Sequence, residues 1–286
     1  MTTSKKYDVI VIGGGLLGLS TAMKLTQSYP QYKVAVLEKE TEVATHQTGH
    51  NSGVIHSGLY YRPGSYKATL CVRGARELRD FCDRHDITYN LIGKVVVATN
   101  EEELPALQTL FERGTANGVE GIQMIDSQRL NEIEPHAFGV RALHCPNTGI
   151  IDYKEVSRAY ATEMQENGGD LFMNTKVLSI QSSDGAISVQ TSKGDFEGKH
   201  LINCAGLYAD SVVRMMGLKS SVRIIPFRGE YYTIAPEKHH LVNGLIYPVP
   251  NPLFPFLGVH YTRLIHGGVE AGPNAVLAFA REGYSK

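Results

Sequence analysis

No apolar run in this chain approaches the length a helix needs to cross a bilayer, which excludes a helical membrane span and leaves peripheral membrane contact open. Cysteine is sparse. The four residues Cys71, Cys82, Cys145 and Cys204 are scattered, with no C-x-x-C pair and no histidine-rich partner spacing. That pattern argues against a disulfide scaffold and against a structural metal centre, so no metal is expected. It fits reduced thiols in a cytoplasmic compartment. Positive charge is not in excess: the formal net charge is −1, so there is no basic footprint for nucleic acid. Internal repeats and low-complexity linkers are absent, and residues 1–6, although basic, run straight into a strand pattern and do not read as a signal peptide. What remains is 286 residues of ordinary globular composition, 42% hydrophobic and 20% charged, long enough for two domains around sizeable cores. Glycine is plentiful, at 29 residues, and it clusters in loops suited to meeting a ligand.

The most informative of those clusters lies at the start. Residues 7–12 (YDVIVI) are an apolar run of strand length, leading directly into Gly13-Gly14-Gly15-Leu16-Leu17-Gly18. A helical segment over about 19–29 and a second strand at 33–37 follow, ending on Glu38, twenty residues after Gly18. The order strand, G-x-G-x-x-G, helix, strand, acid is the dinucleotide-binding fingerprint. Gly13 permits the tight turn, Gly15 lets backbone approach a pyrophosphate, and Gly18 lets helix and strand pack closely. The free N–H groups and positive dipole end of the helix suit the phosphates. Glu38 is placed to accept hydrogen bonds from a ribose diol, and an acid there disfavours a 2′-phosphate.

Further along, periodicity predicts helices over 64–85, 101–117, 127–133 and 153–167, the last ended by Gly168-Gly169. Strand patterns fall at 94–99, 122–125, 171–174, 177–181, 187–191 and 201–204, then at 227–235, 245–249 and 264–269. The alternation predicts an α/β protein: a Rossmann-type nucleotide domain over 1–90 and 143–220, interleaved with a mixed-sheet (α+β) substrate domain over 91–142 and 221–286.

A second cassette, THQTGHNSGVIHSGLYY (45–61), is too rich in small and polar residues for a core element, yet Val54, Ile55 and Leu59 argue against a simple solvent loop. Together with the fingerprint it resembles the FAD-dependent oxidoreductases of the D-amino-acid oxidase and glycerol-3-phosphate dehydrogenase superfamily. The stretch LINCAGLYAD (201–210) resembles that superfamily's returning strand and glycine turn near the dinucleotide. Within it, GHNSGVIHSGLYY (49–61), CPNTGIIDY (145–153), PFRGEYY (226–232), PFLGVHYTR (255–263) and GGVEAGPNAVL (267–277) are most similar to the L-2-hydroxyglutarate oxidase/dehydrogenase family. The resemblance covers essentially the whole chain. Members of that family continue past the point where this chain stops, with a last strand, a glycine-rich turn over the flavin and a closing helix.

The resemblance implies FAD as cofactor, held by Gly13, Gly15, Gly18, Glu38, Thr48, His50, Asn51, Ser52, Val177, Ala205 and Gly206. It implies oxidation of (S)-2-hydroxyglutarate to 2-oxoglutarate, with electrons passed to a quinone or to oxygen, in the cytoplasm or peripherally on the inner face of the membrane. Such a reaction needs a base for the hydroxyl proton, and a histidine near its ordinary pKa is the natural candidate. His56 is the first choice, because the matching family loop runs beside the flavin ring, and His260 is the second. A dicarboxylate presents two anionic ends, which arginine forks suit. Arg263, Arg228 and Arg62 are the candidates, in that order, each with an internal salt bridge as the alternative. Tyr231, Tyr247 and Tyr261 are hydrogen-bond donors or packing residues. Two other readings stay open: a different superfamily substrate (an amino acid, a secondary amine or glycerol 3-phosphate), and a truncated, non-catalytic dinucleotide-binding remnant.

Overall fold

The structure, a computed structural model, describes residues 4–183, 185–251, 253 and 258–283. The chain divides into two compact units, Met1–Asn51 with Tyr153–Pro226 and Leu277–Lys286, and Ser52–Asp152 with Phe227–Val276. The boundaries differ from the sequence expectation. Residues 52–90 and 143–152 belong with the second unit, because Val54–Ile55 pairs antiparallel with Gly149–Ile151, which pairs in turn with Tyr89–Asn90. Residues 221–226 and 277–286 belong with the first.

In the first unit the strand Lys5–Ile12 lies at the middle of a six-stranded sheet. Val34–Leu37 and then Asp170–Phe172 run parallel on one side of it, and Gly194–Asn203 runs parallel on the other. Val177–Ser183 and Ala186–Thr191 extend that side as an antiparallel meander. Central parallel strands are covered on both faces and therefore read as unbroken apolar runs. Ile10, Val11, Val34, Ala35 and Val36 accordingly have no exposed surface. The connecting helix Leu16–Ser28 buries Gly18, Leu19, Ala22, Met23 and Thr26, a single stripe at helical spacing, and packs on the helix Tyr153–Glu166. Gly194–Asn203 is far longer than the strand expected at 201–204. Its residues 194–198 pair with Ala186–Thr191 and its residues 196–203 with Lys5–Ile12, so it joins the meander to the parallel sheet.

The second unit is built on a seven-stranded mixed sheet with Lys94–Ala98 in its interior, parallel to Leu245–Pro248 and antiparallel to Arg141–Cys145. Alternation sorts its residues. Val95 and Val97 pack with Ile125, Leu130 and Ala142, whereas Val96 and Ala98 pack with Leu143, Cys145, Leu245 and Tyr247. Buried Glu134 fastens the entry to Leu245–Pro248, accepting the backbone N–H groups of Asn243 (2.9 Å) and Gly244 (2.6 Å). The expected strand at 264–269 is instead a turn. Gly267 and Gly268 adopt φ of 89° and 98°, Leu264 and Gly268 are hydrogen-bonded across it, and the flanking segments His260–Arg263 and Val269–Leu277 form the hairpin. Paired glycines with positive φ are turn chemistry that an apolar pattern alone does not expose.

Candidate active site: a dinucleotide cavity and a histidine–lysine cluster

In the first unit the glycine turn after Lys5–Ile12 performs the tasks its sequence suggested. Gly13 sits at φ +111°, and a Cβ there would lie 2.3 Å from the carbonyl oxygen of Cys204. A Cβ on Gly18 would stand 1.9 Å from the carbonyl oxygen of Gly13, so strand end and helix approach at backbone distance. Thr48 caps the helix from the cassette, its Oγ1 accepting the Leu16 N–H at 3.1 Å. Glu38 is buried, and its two carboxylate oxygens accept the N–H groups of Gly14 (2.6 Å) and Glu40 (2.9 Å). A carboxylate has lone pairs left after two such bonds, so Glu38 can still receive ribose hydroxyls.

These residues surround a cavity of about 460 Å³. Of the expected cofactor residues, Gly13, Gly15, Glu38, Thr48, Asn51, Val177, Ala205 and Gly206 lie on its wall. Gly18 is a packing residue beneath it, and His50 is exposed outside it. Ser52 belongs to the second unit. A helix N-terminus, a turn that side chains would block and an acid at the end of the second strand fit an adenine dinucleotide. Sequence reasoning missed the clamp beside this cavity. Arg281 makes a two-pronged pair with Asp210 (2.6 and 2.8 Å) and also donates to the Leu207 carbonyl. Arg281, with Arg214, holds the Asp210 carboxyl well below the usual carboxylate range, tying residue 281 to the Gly206–Tyr208 turn. An arginine near the end of a chain gives no sign of this in sequence.

The second unit gathers the basic groups. His56 follows Val54–Ile55, and its carbonyl accepts the Cys71 thiol at 3.4 Å, which steadies the backbone at that point. Its imidazole is accessible to solvent, yet burial, with Lys94 and then His260 adding positive charge, pushes its pKa down to about 4. His260 is buried, stacked at 4.0 Å on Tyr247, with Nδ1 3.0 Å from the Gly258 carbonyl. That contact requires a proton on Nδ1 and leaves the Nε2 lone pair available. Burial lowers its pKa as well. Lys94, which sequence reasoning passed over, opens the interior strand Lys94–Ala98 and is buried; its Nζ lies 4.7 Å from the Tyr60 ring centre and 5.2 Å from that of Tyr247. The only signal was a lysine beginning a strand (KVVVA) whose every residue is buried.

The carboxylate anchors expected from sequence are dispersed. Arg263 donates three hydrogen bonds to backbone carbonyls, two to Val242 (2.7 and 3.1 Å) and one to His239 (2.9 Å), so its guanidinium ties down the 239–242 turn. Arg228 is not buried: it lies on Phe227–Thr233, which is exposed along its whole length, and pairs with Glu230. Arg62 is exposed just before the helix Tyr66–Arg84, its carbonyl accepting the Ser65 hydroxyl. Tyr231 lays its ring against Gly272, and Tyr261 is partly exposed on the strand that carries His260. Residues 252 and 254–257, which include the start of the expected PFLGVHYTR motif and part of the overlapping proline-rich stretch PVPNPLFPF (248–256), lie outside the described residues.

Comparison with known proteins agrees with this arrangement. Residues 8–284 match the family described as FAD dependent oxidoreductase (DAO). The L-2-hydroxyglutarate dehydrogenase of Indibacter alkaliphilus is 56% identical over 281 residues, 98% of this chain and 70% of its own length. The protein of the same name from Escherichia coli K12 is 47% identical, over 98% of this chain and 66% of its own. The human mitochondrial one is 45% identical, over 99% and 64%. The chain therefore spans about two thirds of the length of these relatives. Among solved structures, the L-alpha-glycerophosphate oxidase of Mycoplasma pneumoniae with FAD bound is similar at a TM-score of 0.88 and 27% identity, over 99% of this chain and 75% of that one. The L-proline dehydrogenase of P. horikoshii shares the fold at a TM-score of 0.79 and 21% identity, over 97% and 73%.

Proposed function

The chain belongs to the L-2-hydroxyglutarate dehydrogenase family of FAD dependent oxidoreductases, and from that premise we propose that it oxidises (S)-2-hydroxyglutarate to 2-oxoglutarate, electrons passing on to a quinone or to oxygen. The observation that carries the reading is 56% identity, over 98% of the chain, to a relative named for that activity. FAD, when bound, supplies the two-electron acceptor for the hydride leaving C2. The residues that would hold it are those of the first unit: the Gly13–Gly15 turn and the Leu16–Ser28 N-terminus for the pyrophosphate, Glu38 for the ribose, and Thr48, Asn51, Val177, Ala205 and Gly206 along the cavity wall.

The second unit supplies the acid–base chemistry. A base must be neutral before it can take the hydroxyl proton, and with its pKa near 4 His56 is neutral at pH 7. A carboxylate drawn close to it raises that pKa by charge attraction, strengthening the base when substrate is present. His260, with its Nε2 lone pair available, is the alternative proton acceptor. For the far carboxylate, Arg62 and Arg228 are the exposed members of the three candidate arginines, whereas Arg263 acts there only if it releases a backbone carbonyl. Any membrane contact that serves a quinone is peripheral in this reading; no helix among the described residues is long and apolar enough to cross a membrane.

Similarity to a glycerophosphate oxidase makes glycerol 3-phosphate the specific rival substrate. Turnover of FAD-supplemented protein on (S)-2-hydroxyglutarate, glycerol 3-phosphate, (S)-lactate and proline, with the product identified, separates the two. A site built for two carboxylates prefers 2-hydroxyglutarate by several orders of magnitude and releases 2-oxoglutarate. Preferred turnover of glycerol 3-phosphate would overturn the assignment.

A further inference from the structure

Lys94 is used by nothing in the chemistry so far, and it stands where the fold asks for a hydrocarbon. On the face of the central sheet that carries Val96 and Ala98, its neighbours are Cys145, Leu245 and Tyr247. Lysine is almost never fully buried without a partner, because an uncompensated ammonium in a low-dielectric interior is expensive. Yet no carboxylate among the described residues pairs with it. Its contacts are the faces of Tyr60 and Tyr247, which stabilise a cation without neutralising it. The Tyr60 hydroxyl is also buried with no hydrogen-bond partner among the described residues. Lys94 and the unpaired Tyr60 hydroxyl thus lie together, with His56 and His260 within electrostatic reach and no carboxylate among the described residues pairing with the lysine.

We propose that Lys94 is a positioning residue, a sealed ammonium whose counter-ion is the carboxylate of the bound substrate. The proposal rests on the dicarboxylate reading above. It assigns Lys94 two effects through space: its field attracts an anion towards His56, and its charge adds to the burial that holds His56 and His260 below the usual histidine range. The titratable groups around it are His56 and Tyr60 on the cassette, Cys71 on the helix Tyr66–Arg84, Cys145 on Arg141–Cys145, Tyr247 on Leu245–Pro248 and His260 on His260–Arg263. Burial lowers the Lys94 pKa and raises those of both cysteines and both tyrosines, so none of these supplies a negative charge near neutral pH.

The test uses glutarate, a dicarboxylate with no hydroxyl to oxidise, and the NMR titration of His56, assigned by its disappearance in His56→Gln. Replacing Lys94 by Met keeps the length and removes the charge. Glutarate binding should weaken about tenfold and the His56 pKa should rise by about one unit, each being the same change in free energy. The variant should also melt at a higher temperature, since removing an unpaired buried charge relieves its desolvation. Lys94→Arg keeps the charge and should retain glutarate binding and the His56 titration. A merely structural lysine predicts the reverse: a lower melting temperature in Lys94→Met with both readouts unchanged, which would overturn the proposal. Were Lys94→Met insoluble, the wild type decides alone, because saturating glutarate must raise the His56 pKa and a fixed value would refute the idea. Glutarate binding by wild-type protein whose flavin (S)-2-hydroxyglutarate fails to reduce would sink the substrate assignment while sustaining the role of Lys94.

Discussion

Gly18 and Gly74 both lie within helices, and the same change to alanine should have opposite consequences at the two. In a helix interior, alanine is favoured over glycine by about 1 kcal/mol. At Gly74, on Tyr66–Arg84, an added Cβ meets nothing within 4 Å, so the full gain should appear as a rise in melting temperature of about 2 °C. At Gly18 the same carbon would stand 1.9 Å from the Gly13 carbonyl oxygen, about 1 Å inside the closest approach that real Cβ atoms make. That oxygen belongs to backbone and cannot swing aside, so the helix must move off the strand. Overpacking of this kind costs about 1–3 kcal/mol, more than the propensity gain offsets. The displaced element is the N-terminus proposed to hold the pyrophosphate. Losing one hydrogen bond to a charged phosphate costs about 1.5–3 kcal/mol, or ten- to hundredfold in Kd. Thermal melts and quenching of flavin fluorescence measure the two effects. If Gly18→Ala bound FAD within twofold of wild type and melted no lower, the steric account of the fingerprint would be wrong.

Three further outcomes follow from the site. His56→Gln should lower kcat by about 10²–10⁴ with little change in KM, and intact turnover would eliminate His56 as the base. Acid should destabilise the protein in a defined window. His56 titrates near 6.5 when unfolded and near 4 when folded, so below 6.5 the unfolded chain binds the proton first; this contribution to stability is complete above pH 6.5 and is lost as pH falls towards 4. Melting curves across that range should show a slope that His56→Gln reduces, and an identical slope in the variant would refute the assignment. Arg263→Lys should destabilise by about 1–3 kcal/mol, because lysine cannot reach two carbonyls with a planar fork. Raised KM with an unchanged melting temperature would instead make Arg263 a substrate anchor.

The parts of the fold that could be read in advance are those set by neighbouring residues. The turn Gly13–Gly18 and the acid at Glu38 are local stereochemistry, and the helix Ser127–Ile133 lies where the sequence pattern expected it, its start fastened by Asp126, whose carboxylate accepts the Arg129 N–H. The helix Tyr153–Glu166 was visible as a stripe of spaced apolar residues ended by two glycines. What stayed hidden depends on partners far away in sequence. Val54–Ile55 and Gly149–Ile151 are too short for any pattern, and only their pairing carries the cassette into the second unit. Arg228 was a candidate because it lies in a strand-rich segment, but that segment is an edge strand with no covered face. Lys94 was invisible because charge normally marks a surface, and nothing local tells a buried lysine from an exposed one.

The central claim is that this chain holds FAD and uses it on the (S) isomer of a five-carbon hydroxy dicarboxylate. Anaerobic mixing of FAD-supplemented protein with (S)-2-hydroxyglutarate, followed at the oxidised flavin band, tests that claim most directly. Rapid bleaching with this isomer, absent with the (R) isomer and with glycerol 3-phosphate, is the predicted result. Stable flavin binding without bleaching would contradict the substrate, and failure to retain FAD would contradict the reading of the Gly13–Gly18 turn as a working cofactor site.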